Sequence, residues 1–226
     1  MARKMVSIMA AAVCGLYFSA TLAEAELISI GIEGRVTDVR GDLDLIVGKI
    51  KVGDIITGTY TYDSSMSDSQ PEGYWGAYEY KTPPNGISLA IDEFLFRTDP
   101  ENVDFCITIY NNPPTAVLFD QILVTSYSNL PLSNGVVPRL IQIGFFNRGR
   151  GPLSSDALPV TAPVLSVWED EAVYLSVGPG VRGAVVEADI TSAILIPEPA
   201  TLLLLGLGGL ALLKKRRFAK REQRDG

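Results

Sequence analysis

Ile55-Ile56-Thr57-Gly58-Thr59-Tyr60-Thr61-Tyr62-Asp63 is the stretch on which the fold turns. Its β-branched and aromatic residues suit a pleated, half-buried surface, and successive side chains in a strand point to opposite faces. Val52-Gly53-Asp54, just before it, reads as a turn. The same alternation recurs along the chain. Ile28, Ile30, Ile32 and Val36 share one face of an earlier strand. Later candidates cover residues 74–80, 87–96, 103–110, 116–126, 140–146, 164–167, 172–177 and 184–195. Loops such as Lys81-Thr82-Pro83-Pro84-Asn85-Gly86 and Asn111-Asn112-Pro113-Pro114 separate them. No helical period is sustained between residues 26 and 196. Short strands throughout predict an all-β body, an antiparallel β-sandwich of jelly-roll type. No composition break divides residues 26–196, so one domain is expected there.

The segments on either side of the body have a different character. Arg3 and Lys4 precede an apolar run over residues 5–22, and Ala23-Glu24-Ala25 closes it. Small side chains at Ala23 and Ala25 are what signal peptidase admits, so residues 1–25 read as a signal peptide cleaved after Ala25. Its removal takes Cys14 away and leaves Cys106 without a partner for an internal disulfide. A body of this size buries roughly 70% of its unfolded surface and can fold without such a staple. Cys106 falls on the strand face of Asp104 and Thr108, and no histidine stands ready to activate it.

Beyond the body, Pro197-Glu198-Pro199 makes a short extended hinge, because proline disfavours helix at the residue before it. Residues 200–213 are apolar on every face and are predicted to form a helix. Fourteen residues give only about 21 Å of helix against a hydrocarbon core of about 30 Å. Lys214, Lys215, Arg216 and Arg217 follow at once; their long stems can snorkel to the headgroups and relieve the mismatch. That basic cluster also sets topology, holding residues 219–226 as a basic tail on the cytoplasmic side and the body outside.

Pro-Glu-Pro, a short leucine- and glycine-rich stretch and a basic cluster, in that order, resemble the PEP-CTERM sorting signal. The resemblance covers residues 197–218 as a sorting segment. It implies that an exosortase, an integral-membrane protease, recognises Pro197-Glu198-Pro199 and releases the body to the cell surface or an exopolysaccharide matrix. The stretch from Val52 through Asp63 is also similar to an early strand pair common in proteins bearing this signal.

Charge supports the division. The 226 residues carry a formal net charge of −7, and no histidine. Residues 26–196 hold 10 basic and 22 acidic side chains, a net −12, whereas residues 197–226 hold 7 basic and 3 acidic, a net +4. An acidic body repels nucleic acid, so no nucleic-acid partner is expected. Without histidine there is no Ser-His-Asp relay and no imidazole metal ligand.

Four features of the body could carry chemistry. Tyr74, Tyr78 and Tyr80 fall on one strand face, with Trp75 and Glu79 on the other. Aromatic rings stack on sugar C–H faces, which makes the three tyrosines a candidate carbohydrate-binding surface. Asp38, Asp42 and Asp44, and likewise Asp99, Glu101 and Asp104, offer oxygen ligands, but neither run has the spacing of a calcium loop and no metal or cofactor is expected. Asp92/Glu93 and Glu169/Asp170/Glu171 are neighbours whose side chains diverge in a strand, so they make no paired acid and base. Arg40-Gly41-Asp42 is a tripeptide that a Gly/Asp-rich turn yields by chance. The expectation is a non-catalytic exported component that is structural or carbohydrate-binding. The alternative is a polysaccharide-acting hydrolase with the same sorting tail.

Overall fold

A computed structural model of the chain describes residues 27–41, 46, 49–70, 72–114, 118–149, 151–178 and 183–197. Outside the described residues lie the expected signal peptide with Ala23 and Ala25, Asp42 and Asp44, Glu198 and Pro199. The apolar stretch 200–213 and the cluster Lys214, Lys215, Arg216 and Arg217 lie outside them too. Among the described residues ten strands form: β1 (Leu27–Gly41), β2 (Ile55–Asp63), β3 (Trp75–Tyr80), β4 (Gly86–Ile91), β5 (Phe94–Arg97), β6 (Phe105–Asn111), β7 (Phe119–Ser126), β8 (Pro138–Arg148), β9 (Asp170–Val177) and β10 (Ala184–Ile196). Among the described residues no helix is long and apolar enough to cross a membrane.

The body is all-β and antiparallel, as the alternation predicts. All ten strands belong to one sheet, in the order β3-β6-β7-β8-β9-β10-β1-β2-β4-β5, where a two-sheet jelly-roll sandwich was expected. Alternation says that one face of each strand is buried, which a sandwich and a curled sheet satisfy equally. The curl comes from local backbone features. The pairing of β1 with β10 shifts register between Glu33 and Gly34 and again between Val36 and Asp38, and bulges of this kind bend a strand. In β2, a Cβ on Gly58 would lie 2.0 Å from the Ser88 carbonyl oxygen of β4, so only glycine permits that approach. Two strand assignments also change. Residues 87–96 divide into β4 and β5 around a turn in which Asp92 has φ +49°, and residues 164–167 contain a 3-10 turn at Leu165–Val167.

The inner face encloses one core. Tyr62, Tyr80, Phe94, Phe96, Phe105, Phe145, Ile30 and Leu89 are among its largest fully buried side chains. A chain of buried hydrogen bonds closes the curl where β5 meets the end of β7. The Ile87 amide donates to Thr98 Oγ1 (2.9 Å), Thr98 Oγ1 donates to Ser126 Oγ (2.8 Å), and Ser126 Oγ donates to Asn129 Oδ1 (2.8 Å). Asn129 Nδ2 donates in turn to the carbonyls of Ser126 (3.2 Å) and Pro138 (3.1 Å). Every member is matched, the condition under which a buried polar network stabilises. Asn129→Ala strips partners from three buried groups at about 1 kcal/mol or more each. It should lower stability by about 3 kcal/mol, read as a fall in the urea midpoint; an unchanged midpoint would mean this network does not hold the sheet closed.

Residues 149–169 form the long β8–β9 connection and cover the open side of the curl. Tyr78 Oη donates to the Asp156 carbonyl (3.0 Å), and Tyr62 Oη donates to that of Pro159. Trp168 packs 5.9 Å from the Phe145 ring. Buried Asp120 anchors the same segment, accepting from the Leu153 amide (2.7 Å) and from the Asn112 amide (3.1 Å) and Nδ2 (2.9 Å). The edges are guarded as well. Ala77 of β3 donates its amide to Asp68 Oδ1 (2.8 Å) and accepts from the Ser69 amide (2.9 Å), while the Leu130 amide meets the Arg97 carbonyl at the end of β5 (3.0 Å). Such covers deny exposed edges to other chains.

Candidate functional site

The candidate sorting site grows out of the last strand. β10 pairs with β1 as far as Ser29↔Ile196, so the body remains sheet up to the residue before Pro197. Pro197 itself is exposed, and it follows a strand because a proline at that point donates nothing to the ladder. The antiparallel register puts Leu27, the first residue of β1, at the same end of the molecule. Leu27 and Ile196 therefore lie at one end of the sheet.

Two of the three tyrosines expected at the surface are buried. Tyr78 and Tyr80 do share a face, but it is the inner one: they are 5% and 0% exposed. Burial pushes the Tyr78 phenol up to about 12 and that of Tyr80 higher still, so both hydroxyls stay protonated and donate to carbonyls. Tyr80 Oη reaches the Asp63 carbonyl at 3.0 Å. Two of the three proposed sugar-binding rings are thus core. Tyr74 lies just outside β3, 36% exposed.

The outer face carries a different aromatic set. Trp75 of β3, Tyr110 of β6, Phe119 of β7 and Phe146 of β8 are all half-buried and form one row. Successive ring centroids are 6.0, 5.7 and 5.9 Å apart, and the Trp75 and Tyr110 planes differ by only 7°. The register explains the row. Trp75 is opposite Tyr110, Tyr110 opposite Gln121, and Gln121 opposite Phe146, with Phe119 two residues before Gln121 on the same face. Alternation places Trp75 opposite in facing to Tyr78 and Tyr80 but does not say which face is outward. The order β3-β6-β7-β8 that makes the rings neighbours could not be read from the sequence. Close by in the chain, Trp75 Nε1, Glu72 Oε2 and Asn112 Oδ1 are buried without a hydrogen-bond partner. Buried polar groups are nearly always matched, so a donor and two acceptors stand unused here.

Among the described residues the acidic candidates do not converge. Asp38 pairs with Arg40, which also reaches Glu187; Glu93 pairs with Lys49; Asp104 accepts from Lys81 Nζ at 2.6 Å. Asp99 Oδ1 accepts from the Glu101 amide at 2.9 Å, a local turn contact. Among the described residues no three metal-ligating side chains gather. Cys106 is partly buried, and burial pushes its thiol up, which keeps it in the unreactive protonated form. Beneath the β8–β9 connection lies an apolar recess of about 660 Å³, lined by Ile122, Leu153, Pro159, Val167 and Trp168 among others. Neither it nor the two smaller recesses, beside Arg97 and beside Arg139, is lined by an aspartate or glutamate.

Comparison with known proteins bears on one part of the chain. A family model described as the PEP-CTERM protein-sorting motif matches residues 195–217. The match begins inside β10 and takes in Pro197-Glu198-Pro199, the apolar stretch and the basic cluster. Neither the curated proteins nor the solved structures yield a match.

Proposed function

We propose that this chain, a bearer of the PEP-CTERM protein-sorting motif, is a non-catalytic component of the cell surface or exopolysaccharide matrix. It is exported, held briefly in the membrane by its C-terminal tail, and released by exosortase. Signal peptidase first removes residues 1–25, cutting after Ala25, and the exosortase then acts at Pro197-Glu198-Pro199. The observation that carries the reading is the motif match at residues 195–217, joined to a body that stays folded up to Ile196.

Once released, the body contacts polysaccharide through the outer row Trp75–Tyr110–Phe119–Phe146. Four neighbouring rings on a solvent-facing sheet offer apolar surface to sugar C–H faces. This row takes the place of the Tyr74, Tyr78 and Tyr80 surface, two members of which are needed in the core.

Co-sedimentation of the released body with exopolysaccharide from its own host tests this contact. Removing two rings at about 0.5–1.5 kcal/mol each corresponds to about tenfold in affinity. Phe119→Ser with Phe146→Ser should therefore weaken binding by about tenfold while the thermal transition stays cooperative. Undiminished binding would remove the row from the account.

A further inference from the structure

The end of β10 carries an apolar patch that the body does not cover. β9 pairs with β10 only as far as Ala172↔Asp189, so residues 190–196 have β1 as their one ladder partner among the described residues. Past the bulge at Thr191, Ile194, Leu195 and Ile196 are 59%, 44% and 38% exposed. Ile194 and Ile196 straddle Gly31 on the outer face: a Cβ built there would meet them at 3.2 and 3.3 Å. A strand end with three consecutive exposed aliphatic residues would normally be an aggregation hazard.

Its surroundings say what lies against it. Residues 27–32 and 191–196, which pair with one another at this end, contain no charged side chain, in a body whose net charge is −12. The patch thus carries no charge of its own along β1 and β10, and Asp63 of β2, opposite Leu27, stands at its rim. Only Pro197, Glu198 and Pro199 separate Ile196 from Ala200, where the apolar stretch begins. Four residue steps of at most about 3.6 Å each place Ile196 within about 14 Å of that start. The 14 residues of that stretch, if helical, leave about 9 Å of a 30 Å hydrocarbon core unspanned, and such a mismatch draws flanking residues toward the bilayer.

We propose that in the membrane-anchored precursor the tip of β10, formed by Ile194, Leu195 and Ile196, rests in the lipid headgroup layer. The body then docks on the bilayer by this end and presents Pro197-Glu198-Pro199 at the membrane surface. The opposite pole, marked by the β1–β2 connection at Val52, points away from the lipid. Because Leu27 lies at the same end as Ile196, a precursor that still carries residues 1–25 is tethered twice at one place. This inference rests on the sorting reading and specifies how that site is offered to the protease.

The test uses the full chain in vesicles of phosphatidylethanolamine and phosphatidylglycerol. Cys14 and Cys106 are replaced by serine, and a single cysteine carrying a bimane fluorophore is placed by Ile196→Cys or, as the distant control, by Val52→Cys. Lipids bearing a nitroxide at the headgroup should abolish most of the fluorescence at position 196 and leave that at position 52 unchanged. Equal, weak quenching at the two positions in carbonate-resistant chains overturns the docking while leaving the sorting reading intact. Chains extracted by carbonate overturn both. A parallel variant, Ile194→Cys labelled in the same way, keeps β10 paired through its backbone and reports on the same strand end if the Ile196 variant fails to fold.

Discussion

Replacing Pro197-Glu198-Pro199 with three alanines is expected to leave the protein in the inner membrane at its precursor mass. The motif matched at residues 195–217 places these three residues between a strand and an apolar stretch. β10 is ordered by its ladder to β1. Proline removes its own amide donor and disfavours helix at the residue before it, so the sequence predicts an extended segment without ladder bonds here, the state in which a protease can bind it. Alanine removes that constraint and the recognised side chains together. The body should fold as before, since no core residue changes. Cell fractionation and immunoblotting with an antibody to the body read the outcome. Release at the normal rate would show that the motif is not the site of processing.

The largest expected effect on stability comes from Tyr80→Ala. Tyr80 is fully buried at the end of β3, its ring 5.3 Å from that of Phe105, and its hydroxyl donates to the Asp63 carbonyl at the end of β2. It thereby joins two strands that stand far apart in the sheet order. Truncating a buried aromatic costs about 3–5 kcal/mol, a large share of the total of about 5–15 kcal/mol that holds a domain of this kind together. Tyr80→Phe keeps the ring and loses the hydrogen bond, at about 1 kcal/mol. Urea denaturation of the two variants should show that ordering, with Tyr80→Ala far the worse. Equal, small losses would place Tyr80 outside the core and return it to the candidates for a surface role.

Tyr80 also shows where reading the sequence succeeds and where it stops. Period-two alternation correctly put Tyr78 and Tyr80 on one face and Trp75 and Glu79 on the other. It could not say which face was inside, because both carry aromatic residues; burial is decided by the strands packed opposite. The same holds for the outer row, whose rings come from β3, β6, β7 and β8 and meet only through the order of the sheet. Ile55–Asp63 was legible at both boundaries, since Val52-Gly53-Asp54 ends the preceding loop and β-branched residues fill the strand. The division of residues 87–96 was not. Asp92 and Glu93 turn the chain between two apolar runs without a glycine or proline to mark the place. The sorting segment was legible in full as a pattern because its three parts are contiguous in the chain and need no tertiary contact to be read.

The central claim is that the body is exported, processed at both ends and released, and intact mass of the protein from its own host tests it most directly. The account predicts a chain that begins at Glu26, ends near Pro197 and is recovered outside the inner membrane. A mass that retains residues 200–213, recovered in the membrane fraction after growth to stationary phase, would contradict release and make the protein a permanent membrane resident.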